Sequence, residues 1–200
     1  MTTASNARAE RSRGKRRDAA GPLPNFFIIG AMRSGTTALS RYMGAHPDVY
    51  VAPEKEVHFF DRLHERGLDW YRSRFAAATT ERAIGEATQT YMYLADATER
   101  MAAAVPDARL VAILRNPVDR AYSHYWMNRS LRVEPLGFRE ALAAYPDDPP
   151  PSGQMYPYIE RGRYLAQLER VCAHYPRSAL HVLLLEDLVR EPDATFATLC

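Results

Sequence analysis

The stretch Phe26-Phe27-Ile28-Ile29-Gly30-Ala31-Met32-Arg33-Ser34-Gly35-Thr36-Thr37 carries two periodicities in succession. Its first part is a short apolar run bounded by turn residues, Pro22 and Pro24 before it and Gly30 after it, which suits a strand buried on both faces. From Thr36 the spacing changes: Thr37, Leu39, Tyr42 and Met43 form a rough helical stripe, closed by Gly44 and His46-Pro47. The reading is strand, glycine-bearing loop, helix. Such a loop points several backbone N–H groups at one spot, and the exposed helix N-terminus adds its dipole, so the spot attracts phosphate or sulfate oxygens.

The unit recurs outward along the chain. Leu110-Val111-Ala112-Ile113-Leu114 is a second buried-type run, and the Asn116-Pro117 that follows supplies a cap and a first-turn proline for a helix. Leu180 to Leu185 is a third run, ahead of Glu186-Asp187, and Ile84 with its neighbours supplies a further short strand. Helical stretches at Asp96 to Ala104 and Tyr158 to Ala173 alternate with these runs. The pattern predicts a three-layer α/β fold: a parallel central sheet with crossover helices and a phosphate-binding loop after the first strand. Pro146 to Gly153 reads as a surface loop, and Tyr122, Tyr125 and Trp126 read as helix positions packed in the core.

Composition fits one domain. The 200 residues are 46% apolar and 25% charged, enough to fold around a single core, which excludes wholesale disorder and fibrous repeats. The longest apolar stretch, Phe26 to Met32 with Gly30 included, is far short of the roughly 20 residues of a membrane span. The formal charge of +2 hides an asymmetry, since Met1 to Ala20 holds six basic residues against Glu10 and Asp18. Against totals of 26 and 24, that leaves 20 basic and 22 acidic residues from Gly21 onward, so bulk charge does not mark the body as a nucleic-acid binder. Residues 1–22 read as a basic, solvated leader without the apolar region of a secretory signal, and 23–200 as the domain. Cys172 and Cys200 form neither a disulfide framework nor a metal-ligand spacing, and a reducing cytoplasm is the expected setting.

The loop matches the spacing G-x-x-x-x-G-K-[ST], but Thr36 stands where the lysine should be, and the cation, Arg33, sits inside the loop. A simpler alternative is that Gly35 permits a tight turn and the threonines cap a helix. Arg115 ends a buried strand, where ligands of open α/β sheets bind, although by itself it could pair with Asp119.

Three separated segments, in order and at matching spacing, resemble the sulfotransferases that use 3′-phosphoadenylyl sulfate, in particular a bacterial branch similar to the heparan-sulfate enzymes. Pro24 to Leu39 is similar to the family's loop for the 5′-phosphosulfate, with arginine where many members carry lysine. Glu54-Lys55-Glu56-Val57-His58-Phe59-Phe60-Asp61 is similar to the stretch that holds a catalytic glutamate in glycan-modifying members, and Leu114 to Ser123 to the 3′-phosphate segment. The resemblance implies a donor held by Arg33, Ser34, Gly35, Thr36 and Thr37 at one end and by Arg115 and Ser123 at the other, with no metal. Arg33 would act on the departing phosphate as an electrophilic clamp, because a guanidinium does not readily give up a proton.

The implied general base is Glu56. His58 is a second candidate, since imidazole titrates near neutrality, and if 54–60 is extended the two side chains point to one side. Lys55, Glu56 and Asp61 could instead form a solvated loop edge. The implied acceptor is a hydroxyl, or less readily an amine, of a glycan, lipid or small molecule, contacted by loops such as 62–74 and 145–158. Where heparan O-sulfotransferases have Glu-Lys followed by Ser or Thr and Pro, this chain has Glu86-Ala87-Thr88-Gln89, which removes a cation near the acceptor. The family also continues past the point at which Cys200 ends this sequence. Two rival readings remain. One is a phosphate-loop kinase or nucleotide triphosphatase, with Glu186-Asp187 holding magnesium, and the other a catalytically incomplete nucleotide-binding domain.

Overall fold

The computed structural model describes residues 21–144 and 157–199. Five strands form one parallel sheet: β1 (Phe26–Gly30), β2 (Val49–Val51), β3 (Ala83–Ala87), β4 (Arg109–Leu114) and β5 (Leu180–Leu184), in the spatial order β2-β3-β1-β4-β5. Helix α1 (Thr36–Gly44) follows β1, α2 (Gly67–Ser73) follows β2, and α3 (Ala95–Ala104) follows β3. After β4 come α4 (Pro117–Ser130), α5 (Phe138–Ala144) and α6 (Tyr164–His174); after β5 come α7 (Leu185–Arg190) and α8 (Pro192–Ala197). The α/β class and the parallel sheet are as the alternating runs predict.

Strand residues alternate between the faces, and each face packs its own core. Phe27, Ile29, Leu110, Ala112 and Leu180 pack with Ala97 and Met101 of α3, Val171 of α6 and the aromatic group Phe59, Phe60, Tyr71 and Tyr91. Phe26, Ile28, Val111, Ile113 and Leu183 pack on the opposite face with Leu39 and Met43 of α1 and Leu188 of α7. Three layers result.

The chain leaves β1 toward β2 on one side and later crosses to β4 on the other, so the strand order reverses beside β1. In open α/β sheets the crevice at the carboxyl ends of strands at such a reversal is where ligands bind. Here the β1–β4 register shifts between Ile28 and Gly30, and Ala31 N donates to Ile113 O at 2.7 Å, which fixes the exit of the first loop over β4.

Several sequence expectations are corrected. Tyr125 is buried, but Tyr122 and Trp126 are 48% and 51% exposed, because α4 buries the stripe Ala121, His124, Tyr125 and Asn128 and these two rings lie a helical step off it. The stretch from Tyr158 is broken: a 3₁₀ turn at Glu160–Gly162 precedes α6, and Arg163 between them has a non-helical backbone, φ −80° and ψ 67°. Residues 62–74 are not a loop but a 3₁₀ turn, His64–Arg66, and α2. The leader through residue 20 and the 146–153 loop lie outside the described residues.

Candidate active site

Seven of the residues singled out in the sequence line one cleft of about 360 Å³ at the carboxyl ends of β1 and β4: Arg33, Gly35, Thr36, Thr37, Glu56, Arg115 and Ser123. The loop 31–35 is shaped by its backbone. Ser34 N donates to Ala31 O at 3.2 Å, and Gly35 takes φ +93° at the N-cap of α1, a left-handed conformation that glycine adopts without Cβ strain. No side chain caps α1 and no acidic residue occupies its first turn, so its leading N–H groups and dipole face the cleft without an internal anion. Ser34, expected among the donor-binding residues, is fully buried and forms no part of the cleft wall.

The two sequence segments assigned to separate phosphates meet. Arg33 Nε donates to Ser123 Oγ at 3.0 Å, and Arg115 Nη1 donates to Arg33 O at 3.4 Å. Arg115 is held from behind, where Tyr164 Oη donates to its carbonyl at 2.9 Å, and no ion pair joins it to Asp119. Asn116 accepts from Val118 N and Asp119 N, capping α4 and setting the helix on which Ser123 and Met127 face the cleft. Glu186 Oε1 accepts from Asn116 N at 2.8 Å, and Asp187 pairs with Arg190 at 2.6 Å. Neither acidic residue lines the cleft, which removes the geometry on which the magnesium-dependent alternative stood.

On the other wall, Glu56 and His58 do face each other, with Oε2 and Nε2 3.1 Å apart, but through a turn and not an extended strand: His58 has φ 55°. His58 lies outside the cleft wall, and its Nδ1 is 2.9 Å from Asp61 Oδ2, which also accepts from Thr90 Oγ1 at 2.6 Å. Hydrogen bonding to Asp61 and then Glu56 outweighs partial burial and pushes the imidazole up to about 9. At neutral pH it is an imidazolium and has no lone pair with which to take a proton. Burial alone would raise the Glu56 carboxyl, but the hydrogen bond to His58 and the charge of Lys55 hold it below its ordinary value. Asp61 has its carboxylate shielded from solvent, so the solvated-edge alternative does not describe it.

Below this triad His58 N donates to Thr88 Oγ1 at 3.4 Å, and Thr88 Oγ1 donates to the fully buried Glu86 at 2.6 Å. Glu86 also accepts from Tyr71 Oη and Tyr91 Oη at 2.8 and 2.9 Å, which anchors the floor to the aromatic core.

Lys55, Gln89, Met127 and Leu185 also line the cleft, and the sequence reading gave none of them a part in holding the donor or moving the proton. Lys55 Nζ donates to Thr36 Oγ1 at 3.3 Å and lies 3.5 Å from Glu56 Oε1. Its place beside Glu56 in the chain was the available signal, but lysines are mostly solvated and the spacing to Thr36 is a tertiary fact.

The cleft therefore joins an unblocked helix N-terminus, three cations and one ionised carboxylate, a set that fits a nucleotide with phosphate groups at two ends. The chain is also similar to known proteins. Residues 23–200 match the sulfotransferase domain family. The chain is 34% identical over 174 residues to heparan sulfate glucosamine 3-O-sulfotransferase 6 of Homo sapiens, covering 84% of this chain and 48% of that protein, so it spans about half the length of that relative. Among solved structures, a sulfotransferase from Alicyclobacillus acidocaldarius is 35% identical with a TM-score of 0.81, over 90% of this chain and 80% of that one. The sulfotransferase domain from the curacin biosynthetic pathway, 16% identical over 90% of this chain and 74% of its own, shares the fold at a TM-score of 0.58. From residue 23 onward, the chain belongs to the sulfotransferase family of enzymes.

Proposed function

We propose that this chain moves a sulfuryl group from 3′-phosphoadenylyl sulfate to a hydroxyl, or less readily an amine, of a glycan, lipid or small-molecule acceptor, and that it works in a reducing cytoplasm. The observation that carries this reading is the single cleft in which the N-terminus of α1, Arg115 with Ser123, and Glu56 open onto the same space. When bound, the donor supplies a sulfuryl group on a phosphate leaving group. The chain does the rest. The leading N–H groups of α1 and the adjoining cations stabilise negative charge at the phosphosulfate end, Arg115 and Ser123 hold the 3′-phosphate, and Arg33 borders both ends through its bond to Ser123. Glu56 takes the proton of the acceptor, while His58, held as a cation by Asp61, fixes the orientation of that carboxylate.

Ala87 is buried and Gln89 lines the cleft, so the segment 86–89 offers no cation to a polyanionic acceptor. That favours acceptors less charged than heparan. The test is calorimetric titration with adenosine 3′,5′-bisphosphate against AMP and ATP without magnesium, followed by an acceptor screen with labelled donor. A clear preference for the bisphosphate supports the reading. Equal binding of all three, or tighter binding of ATP that depends on magnesium, overturns it.

A further inference from the structure

We infer that Tyr164 is a positioning residue for the donor. Its hydroxyl ties the end of β4, which carries Arg115, to the buried Ser34 of the loop after β1, and so sets the spacing between the two phosphate sites. The inference deepens the function proposed above and rests on it.

Three observations carry it. Tyr164 Oη donates to the carbonyl of Arg115 at 2.9 Å, which fixes the backbone from which that guanidinium leaves β4. Ser34 is fully buried, and its Oγ has no hydrogen-bond partner in standard geometry. The group beside it is Tyr164: burial pushes the phenol up, and the Ser34 hydroxyl is the foremost neighbour opposing that rise. A buried hydroxyl without an acceptor is costly, and Tyr164 Oη, its own proton committed to Arg115, has a lone pair to offer. Third, Arg115 Nη1 donates to Arg33 O at 3.4 Å, so the residue before Ser34 is tied to the same strand end from the other side.

The chain holds Tyr164 firmly for this task. Tyr164 opens α6 just after the 3₁₀ turn Glu160–Gly162, and the buried Gln167 joins the two, its Nε2 donating to Arg161 O at 3.2 Å and to Arg163 O at 3.3 Å. A Cβ on Gly162 would lie 3.1 Å from Pro117 Cβ, so this unit abuts the first residue of α4, the helix that carries Ser123. The Tyr164 ring packs against the core, and the residue does not line the cleft. It therefore acts through Arg115 and Ser34 and not on the donor. A ligand with one phosphate needs one site in place, whereas a ligand with phosphates at both ends of a ribose needs both at one spacing. Loosening the tie costs the second kind of ligand more, because it must restore that spacing out of its own binding free energy.

Wild type, Tyr164→Phe and Ser34→Ala are titrated calorimetrically with adenosine 3′,5′-bisphosphate, adenosine 3′-phosphate and AMP, and urea unfolding is recorded for each. Tyr164→Phe keeps the ring and removes only the tie. It should weaken binding of the bisphosphate about fivefold to tenfold and that of each monophosphate no more than about twofold. Ser34→Ala should show the same preference lost in part, and it serves in place of Tyr164→Phe if that variant is not folded under the conditions of the titration. A merely structural role would lower the urea midpoint and weaken all three ligands alike, and that result overturns the inference. So does an unchanged preference for the bisphosphate in both folded variants. If wild type itself does not favour the bisphosphate over either monophosphate, the donor assignment fails and the inference falls with it.

Discussion

At Glu56 a carboxylate stays ionised because of the neighbours that orient it. Its hydrogen bond to His58 and the Lys55 charge overcome the burial that would otherwise raise it, so it is ready to accept a proton at neutral pH although its basicity is reduced. Glu56→Gln is expected to lower turnover by about 10²-fold or more while affinity for the bisphosphate is largely kept, measured by initial rates and titration. Unchanged turnover would move the proton acceptor elsewhere. His58 yields a pH prediction with a definite sign. Its folded value of about 9 lies above the ordinary 6.5, so the native state binds the proton more tightly. The stability it contributes is fully present below about pH 6.5 and is lost as pH rises through about 9. Urea unfolding should show that decline in wild type and a shallower one in His58→Asn. In the same variant the acidic limb of the kcat/KM profile should move to higher pH, because Glu56 loses the partner that lowers it. An unmoved limb would mean that Glu56 does not set it.

Among the elements, α4 shows how a local signal positions chemistry. Asn116 takes two backbone N–H groups at the start of the helix, Pro117 fits its first turn, and Ser123 is carried into the cleft in the second turn. Asn116→Ala should lower the unfolding free energy by about 1 kcal/mol, read from the denaturant midpoint at constant m-value. A change near zero would mean that Glu186, which accepts from Asn116 N, fixes this junction without the cap. The segment 54–60 behaves differently. It belongs to no helix or strand, and a left-handed His58 turns it, so the alternation that would place Glu56 and His58 on one side of a strand is not what brings them together.

For the molecule as a whole, Glu86 joins the core to the cleft. It is fully buried on β3, accepts from Tyr71 of α2, from Tyr91 and from Thr88, and through Thr88 supports the backbone of His58. Removing it leaves three buried hydroxyls without their acceptor and opens a cavity. Glu86→Ala is therefore expected to cost about 3 kcal/mol or more in chemical denaturation, and Glu86→Gln less, because the amide oxygen still accepts from the tyrosines. A loss under about 1 kcal/mol in the alanine variant would show that water replaces the carboxylate and that the network is not a structural anchor. Among the described residues no helix is long and apolar enough to cross a membrane.

Much of this architecture was legible in the chain. Apolar runs such as Leu110 to Leu114, followed by Asn116-Pro117, specify their own local conformation, since period, capping and proline geometry act over a few residues. The three segments at their spacing also named the family, and eight of their residues, Lys55 among them, line one cleft. The three-residue edge strand β2, the break before α6 and the exposure of Tyr122 and Trp126 were not legible, because each depends on what packs against the segment. The same holds for the roles of the charged groups. That Glu56 is ionised, that His58 is protonated and that Lys55 reaches Thr36 all follow from distances between loops far apart in sequence or turned on themselves. Residue type and spacing determine which groups can do the chemistry. Only the tertiary structure sets their protonation and their partners, because Coulomb energy and desolvation depend on where the folded chain puts neighbouring charges.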